Sequence, residues 1–424
     1  MGFNTRAIHA GWGKENSPRA VPIHRTTAYN FRDSEHAANL FALKELGHIY
    51  TRLQNPTQDI LEERMAALEG GTGALATSSG TAAIFNSIIN VAKAGDEIVA
   101  SSQLYGGTFS QFKDILPQFG ITVRFVDPLN LDAWRQAANE KTRAFYYETV
   151  GNPSLSVPDY DGIKAVAEEF HVPVIVDATF TTPALLSPIS HGADVVIHSL
   201  TKWIGGHGTA LGGIVVDAGQ FDWTDEKFAT FNEPDTGYHG LRYAHDLGDL
   251  SPVAFVLRMR LVQLRNLGAS ISPDNAWMVL QGLETLGLRM ERHSANAAQV
   301  ASHLEAHPAV EWVKYPGLEA AKNPQSPEAQ YLKKGFGGMV VFGIKGGREA
   351  GAKFIENVNL FSHVANVGDA KSLAIHPAST THSQLSEKDL DSAGVGSDLI
   401  RLSIGIEDVD DILADLDQAL KAAR

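Results

Sequence analysis

The chain contains no cysteine. That excludes disulfides, thiolate metal sites and a cysteine nucleophile. It is also poor in positive charge: 35 Lys and Arg against 49 Asp and Glu leave a net charge of −14. Such a surface argues against nucleic acid or an anionic membrane as partner, so an anionic ligand must be met by a local positive site. No apolar run reaches the ~18 residues of a membrane span, and Met1-Gly2-Phe3-Asn4-Thr5-Arg6 is no basic-then-apolar leader. A cytoplasmic protein is expected. The phosphate fingerprints of nucleotide sites are missing too: no Gly-x-Gly-x-x-Gly follows a strand-like run, and there is no Gly-Lys-Ser/Thr. Among His198, His207, His376 and His382 no pair has helical spacing beside an acid, so no metal site is expected.

What is present is an ordinary globular composition, 44% hydrophobic and 20% charged over 424 residues, enough for two or three domains of about 150 residues. The chain centres on His198-Ser199-Leu200-Thr201-Lys202-Trp203-Ile204-Gly205-Gly206-His207, which follows the apolar run Val195-Val196-Ile197. A lysine at a buried strand end loses part of the solvation that favours its charge, and its neutral amine is then a nucleophile for an aldehyde. The plain alternative is a surface lysine in a glycine-rich loop.

Around this stretch the pattern is strand, helix, strand. Ala74–Thr77, Glu97–Ser101, Thr122–Val126, Ala144–Glu148, Val174–Asp177, Val195–His198 and Gly213–Val216 read as strands, with Ala82–Lys93 and Tyr160–Phe170 among the intervening helices. This predicts crossover units on a mostly parallel sheet, with ligands at the carboxyl ends of its strands. Residues 1–55 have weak periodicity and read as an arm lying on another surface. Asn55-Pro56 opens a helix that Gly70-Gly71 stops. Residues 218–270 interrupt the rhythm with aromatics and read as an insertion over the sheet's edge or mouth, either a lid or a packing excursion. One long helix is expected from Pro273 past Leu283 to Leu304. A smaller α+β region follows, with strands at Val310–Tyr315, Gly338–Ile344 and Leu399–Ile404 and helices at Ala350–Asn357 and Val409–Leu420.

Chemistry-bearing residues fall at the strand ends. Ser78-Ser79-Gly80-Thr81 links a strand to a helix whose free N–H groups favour a phosphate. Asp177 is a carboxylate at a buried strand end, where a protonated ring nitrogen would be a suitable partner; a turn or helix-cap acid is the alternative. Tyr105, beside Gly106-Gly107, is placed to stack on a flat ring or simply to pack. Arg401 lies on the apolar strand Leu399–Ile404 and needs an anion, from a salt bridge or a substrate carboxylate.

These motifs, with Tyr50-Thr51-Arg52, Asn55-Pro56-Thr57, Tyr105-Gly106-Gly107-Thr108, Asn152-Pro153 and Arg401-Leu402-Ser403-Ile404-Gly405 in one order, resemble the Cys/Met-metabolism family of pyridoxal-phosphate enzymes from end to end. The resemblance implies an α/β, aspartate-aminotransferase-like (fold type I) chain with a mostly parallel central sheet and a smaller α+β C-terminal domain. Its parts would be a 1–55 arm contributing to a neighbouring active site, a 56–285 cofactor domain and a 286–424 domain. It implies pyridoxal 5'-phosphate bound covalently at Lys202, Asp177 on the pyridine nitrogen and Tyr105 on the ring, with Tyr105 a possible acid or base. Gly80, Thr81, Ser199 and Thr201 would hold the phosphate, helped by Tyr50 and Arg52 of another subunit in a homotetramer built from dimers. Arg401, Asn152 and Ser372 would take a substrate carboxylate.

Residues 370–384, Ala370-Lys371-Ser372-Leu373-Ala374-Ile375-His376-Pro377-Ala378-Ser379-Thr380-Thr381-His382-Ser383-Gln384, are similar to the sulfhydrylase branch of that family, which implies O-acetylhomoserine and sulfide or a small thiol as substrates. A cystathionine γ-synthase or γ-lyase, and a non-catalytic cofactor-binding protein, are the alternatives.

Overall fold

The computed structural model describes residues 1–13, 17–380 and 395–423. Seven strands form the central sheet: β1 (Gly73–Thr77), β2 (Glu97–Ser101), β3 (Thr122–Val126), β4 (Thr142–Glu148), β5 (Val174–Asp177), β6 (Val195–Ser199) and β7 (Gly213–Asp217). Their order is β1-β7-β6-β5-β4-β2-β3. β7 is antiparallel to both neighbours and every other pairing is parallel. Each expected strand is found, within a residue or two at its ends.

The apolar runs are continuous because both faces are covered. Val174, Val176 and Val196 face a core with Leu61 and Met65 of the helix Pro56–Glu69. Ile175, Val195, Ile197 and Val215 face the other way, against Ala83, Ile84 and Ile88 of the helix Gly80–Val91. Local chemistry starts the first helix at Pro56, as expected, and the second at Gly80, two residues before the expected Ala82. Asn55 accepts the Thr57 N–H ahead of Pro56, and Ser79 Oγ accepts the Ala82 N–H at 3.1 Å.

A second sheet contains β8 (Val310–Lys314), β9 (Met339–Ile344), β10 (Ser362–His363), β11 (Leu373–Ile375) and β12 (Leu399–Ser403), ordered β10-β11-β12-β9-β8. Only β10–β11 is parallel. The helices Gly347–Asn357 and Val409–Ala422 pack against this sheet through Phe354, Ile412, Leu416 and Leu420. β10 and β11 are too short to show a period of their own.

One expectation changes. The long helix is two, Pro273–Glu284 and Leu286–Ala306, with Thr285 outside helical geometry at φ −109°. The first helix closes with the Thr285 N–H on the Gly282 carbonyl at 3.3 Å, and that carbonyl also accepts the Arg289 guanidinium at 2.7 Å. The aromatic stretch 218–270 packs over the β1 edge of the sheet, in keeping with the packing alternative. Its helix Ala254–Met259 continues through a wider turn at Arg260–Leu264 and lies against β1, β7 and the helix Gly80–Val91. Trp223 and Phe231 stack there with ring centroids 4.3 Å apart, beside Phe228 and Phe255.

The N-terminal 1–55 stretch holds two helices that its weak periodicity concealed. Phe3–His9 docks on Pro56–Glu69, and Ser34–Phe41 is capped by Asp33. The stretch exposes Phe31, Phe41, Leu46 and Tyr50. No helix of the described residues is long and apolar enough to cross a membrane.

Candidate active site

Parallel pairing of β4, β5 and β6 sets Glu148 opposite Asp177 and Asp177 opposite Ile197, so these carboxyl ends open onto one cavity of ≈ 240 Å³. The Lys202 turn follows β6 and is closed by its own backbone: Lys202 N–H donates to Ser199 O, and Gly206 N–H to Lys202 O at 2.7 Å. Arg289 clamps it from outside, donating to the carbonyls of Trp203 at 2.6 Å and Ile204 at 3.1 Å. Lys202 reaches into the cavity, where its Nζ donates to Asn366 Oδ1 at 2.6 Å. Burial, and secondarily the Arg401 guanidinium, lower its pKa, so a larger share of the amine is neutral.

Asp177 lines the same cavity. Thr179 holds its Oδ1 through the backbone N–H at 2.9 Å and the hydroxyl at 2.6 Å. Burial raises the carboxyl, against the opposing pull of Thr179. An acid held in this way is stabilised by a cation facing it.

At the cavity's far end the helix Gly80–Val91 begins, with Thr81 in its first turn and Ser199 and Thr201 facing it. A Cβ on residue 80 would lie 2.7 Å from Ser199 Cβ, so only glycine leaves this cradle open. Thr201 Oγ1 is oriented by Gly212, accepting its N–H at 3.1 Å.

Tyr105 stands on the wall, half exposed, its backbone N–H bound to Glu148 Oε1 at 2.7 Å. Opposite, Arg401 of β12 donates to Asn152 Oδ1 at 3.2 Å and forms no ion pair with any carboxylate among the described residues. Burial lowers its pKa, as expected of a cation still lacking an anion.

Nine of the expected site residues thus meet in one cavity: Lys202, Asp177, Tyr105, Gly80, Thr81, Ser199, Thr201, Asn152 and Arg401. Ser372 does not. It is fully buried behind the wall, its hydroxyl donating to Glu407 Oε2 at 2.9 Å and accepting the Gly405 N–H at 2.9 Å, and its backbone N–H is bound to Glu407 as well. Tyr50 and Arg52 lie outside this cavity too. The Arg52 guanidinium sits 5.2 Å from the Tyr50 ring centroid and bonds the Arg265 carbonyl. Of the tail motif, Thr381, His382, Ser383 and Gln384 fall outside the described residues.

Among the polar cavity residues, Glu148, Thr179 and Asn366 were given no role by the sequence reading, although Thr179 lies in the motif Asp177-Ala178-Thr179. Glu148 carried the same signal as Asp177, a carboxylate closing an apolar strand. Thr179, two residues past Asp177, matches a local side-chain turn. Asn366 gave no signal, because only the fold brings it to Lys202.

The model of one family, Cys/Met metabolism PLP-dependent enzyme, matches residues 4–421. The chain belongs to that family. Its members depend on pyridoxal phosphate (PLP), and the cavity fits that group. Lys202 has a lowered pKa, Asp177 forms no ion pair among the described residues, and the helix start at Gly80 is left open, which suits an aldehyde, a ring nitrogen and a phosphate.

An O-acetyl-L-homoserine sulfhydrylase of Leptospira meyeri is 52% identical, over 98% of this chain and 96% of its own. A homocysteine synthase of Schizosaccharomyces pombe is 50% identical, over 99% and 98%. In three dimensions, the crystal structure of a Campylobacter jejuni O-acetylhomoserine (thiol)-lyase, which carries a pyridoxyl-lysine monophosphate, superposes with a TM-score of 0.94. It is 42% identical, over 99% of this chain and 100% of that one.

Proposed function

We propose that this protein catalyses a γ-replacement, O-acetyl-L-homoserine plus sulfide giving L-homocysteine plus acetate, a step of methionine biosynthesis. The observation that carries the reading is the meeting, in one cavity, of the Lys202 amine and an Arg401 guanidinium that forms no ion pair among the described residues. It is supported by the names of relatives about half identical over their full length.

Bound pyridoxal phosphate supplies the electron sink that makes protons near an amino carbon removable. The residues divide the remaining work. Lys202 would anchor the cofactor and, once freed by the substrate amine, would serve as the base for a proton on Cα and later one on Cβ. Asp177 would keep the ring nitrogen protonated, and Tyr105, on the cavity wall, would cover the ring face and could serve as an acid or base. The Gly80 and Thr81 N–H groups and the Ser199 and Thr201 hydroxyls hold the phosphate. Arg401 and Asn152 orient the substrate carboxylate, which gives the guanidinium its missing anion. Ser372, consumed by Glu407 and Gly405, supports this wall from behind.

The 1–55 arm would bring Tyr50 and Arg52 to a neighbouring subunit's phosphate, which requires a dimer at least; a homotetramer is the assembly inferred. The arm's exposed aromatics support this, as does the absence of both residues from their own chain's cavity. Residues 56–285 are assigned to the cofactor domain and 286–424 to a second domain. The acidic surface and the lack of an apolar span support a cytoplasmic enzyme without a nucleic-acid partner.

The test is a competition assay with PLP-loaded protein and O-acetylhomoserine, offered sulfide or cysteine. Homocysteine from sulfide is expected as the dominant product. Cystathionine formed in preference from cysteine would move the protein to the synthase branch, and no turnover with either would leave a non-catalytic binder.

A further inference from the structure

Glu148 and Asp177 are register partners on parallel neighbouring strands, so their side chains leave the sheet on the same side, and both line the cavity. Their surroundings differ. Asp177 Oδ1 receives two donors, the Thr179 N–H and hydroxyl. Glu148 is only 8% exposed, receives one backbone N–H from Tyr105, and forms no ion pair among the described residues. Two buried carboxylates side by side do not both ionise readily, and the proton settles on the less well solvated one.

We propose that Glu148 and Asp177 work as a carboxyl pair bearing one negative charge, in which Glu148 holds the proton, Asp177 holds the charge, and Glu148 fixes the backbone of Tyr105. Glu148 is then a positioning residue. Burial, and next the charge of Asp177, push its carboxyl well above the ordinary range, in keeping with the geometry. The consequence is electrostatic economy. A protonated ring nitrogen meets one anion rather than two, and the Tyr105 ring hangs from a neutral acceptor whose charge stays constant through neutral pH. This inference rests on reading the cavity as the cofactor's ring site.

The experiment compares cofactor-free wild type with Glu148→Gln by infrared difference spectroscopy at neutral pH, then measures pyridoxal-phosphate affinity for both and for Glu148→Ala. The expected results are a protonated-carboxyl C=O band in the wild type that is lost in Glu148→Gln, and cofactor affinity in Glu148→Gln within about threefold of wild type. Glu148→Ala, which leaves the Tyr105 N–H without its acceptor, should bind roughly tenfold more weakly while circular dichroism shows it folded. Absence of the band, or a tenfold loss of affinity in Glu148→Gln, overturns the proposal by showing an ionised Glu148. Wild-type cofactor uptake in the same series separates the two readings: if the wild type takes up none, the ring-site assignment fails, while the infrared band still decides where the proton sits.

Discussion

Arg401 shows how a single residue's surroundings separate function from structure. It is sunk in the cavity wall with Asn152 as its one hydrogen-bond partner among the described residues. Replacing it with leucine removes a charge-assisted grip on the substrate carboxylate worth about 3 kcal/mol. Arg401→Leu is therefore expected to lower kcat/KM for O-acetylhomoserine roughly 100-fold, mostly through KM, in steady-state kinetics. Ser372→Ala should leave KM unchanged and act on stability, because its hydroxyl serves Glu407 and Gly405.

His293 makes a prediction in pH. It is buried, its Nδ1 lies 2.6 Å from the Ile404 carbonyl, and burial lowers its pKa to about 4. The unfolded chain takes up that proton first, so stability falls as pH drops below about 6.5 and the loss is complete below about 4. The total is roughly 3 kcal/mol. Urea unfolding between neutral pH and mild acid should show that decline in the wild type and a flatter profile in His293→Gln.

At the scale of elements, the strands were legible because parallel strands covered on both faces are plain apolar runs. Lys202 and Asp177 were legible for the same reason, since each breaks or closes such a run. Other features were decided by contacts distant in sequence. Asn366 meets Lys202 across 164 positions, and Glu407 claims Ser372 across 35; no local pattern carries either pairing.

Gly282 brings the helix Pro273–Glu284 against the lysine turn. A Cβ there would lie 2.2 Å from Gly205 O and 2.6 Å from Ile204 O. Gly282→Ala must displace backbone, which costs about 1–3 kcal/mol. It should lower the urea midpoint and weaken cofactor retention together. A lower midpoint with unaltered retention would mean that the turn tolerates the shift.

For the whole molecule, the proposed sharing of sites between subunits has a direct consequence. On that proposal Lys202→Ala and Arg52→Ala would each cripple the homo-oligomer by a different route, one within the chain and one across the interface. Refolded together, mixed dimers contain one site with both residues intact, so activity should return to about a quarter of wild type for random pairing. No recovery above the sum of the parents would mean that Arg52 serves its own chain.

The central claim is that the fold brings a strand-end acid, a phosphate cradle and the Lys202 amine together to hold pyridoxal phosphate covalently. Borohydride reduction of the cofactor-loaded protein, followed by mass mapping of its peptides, tests this most directly. The account predicts a pyridoxyl group on the peptide containing Lys202 and on no other lysine; a label elsewhere, or none on a protein saturated with the cofactor, would contradict it.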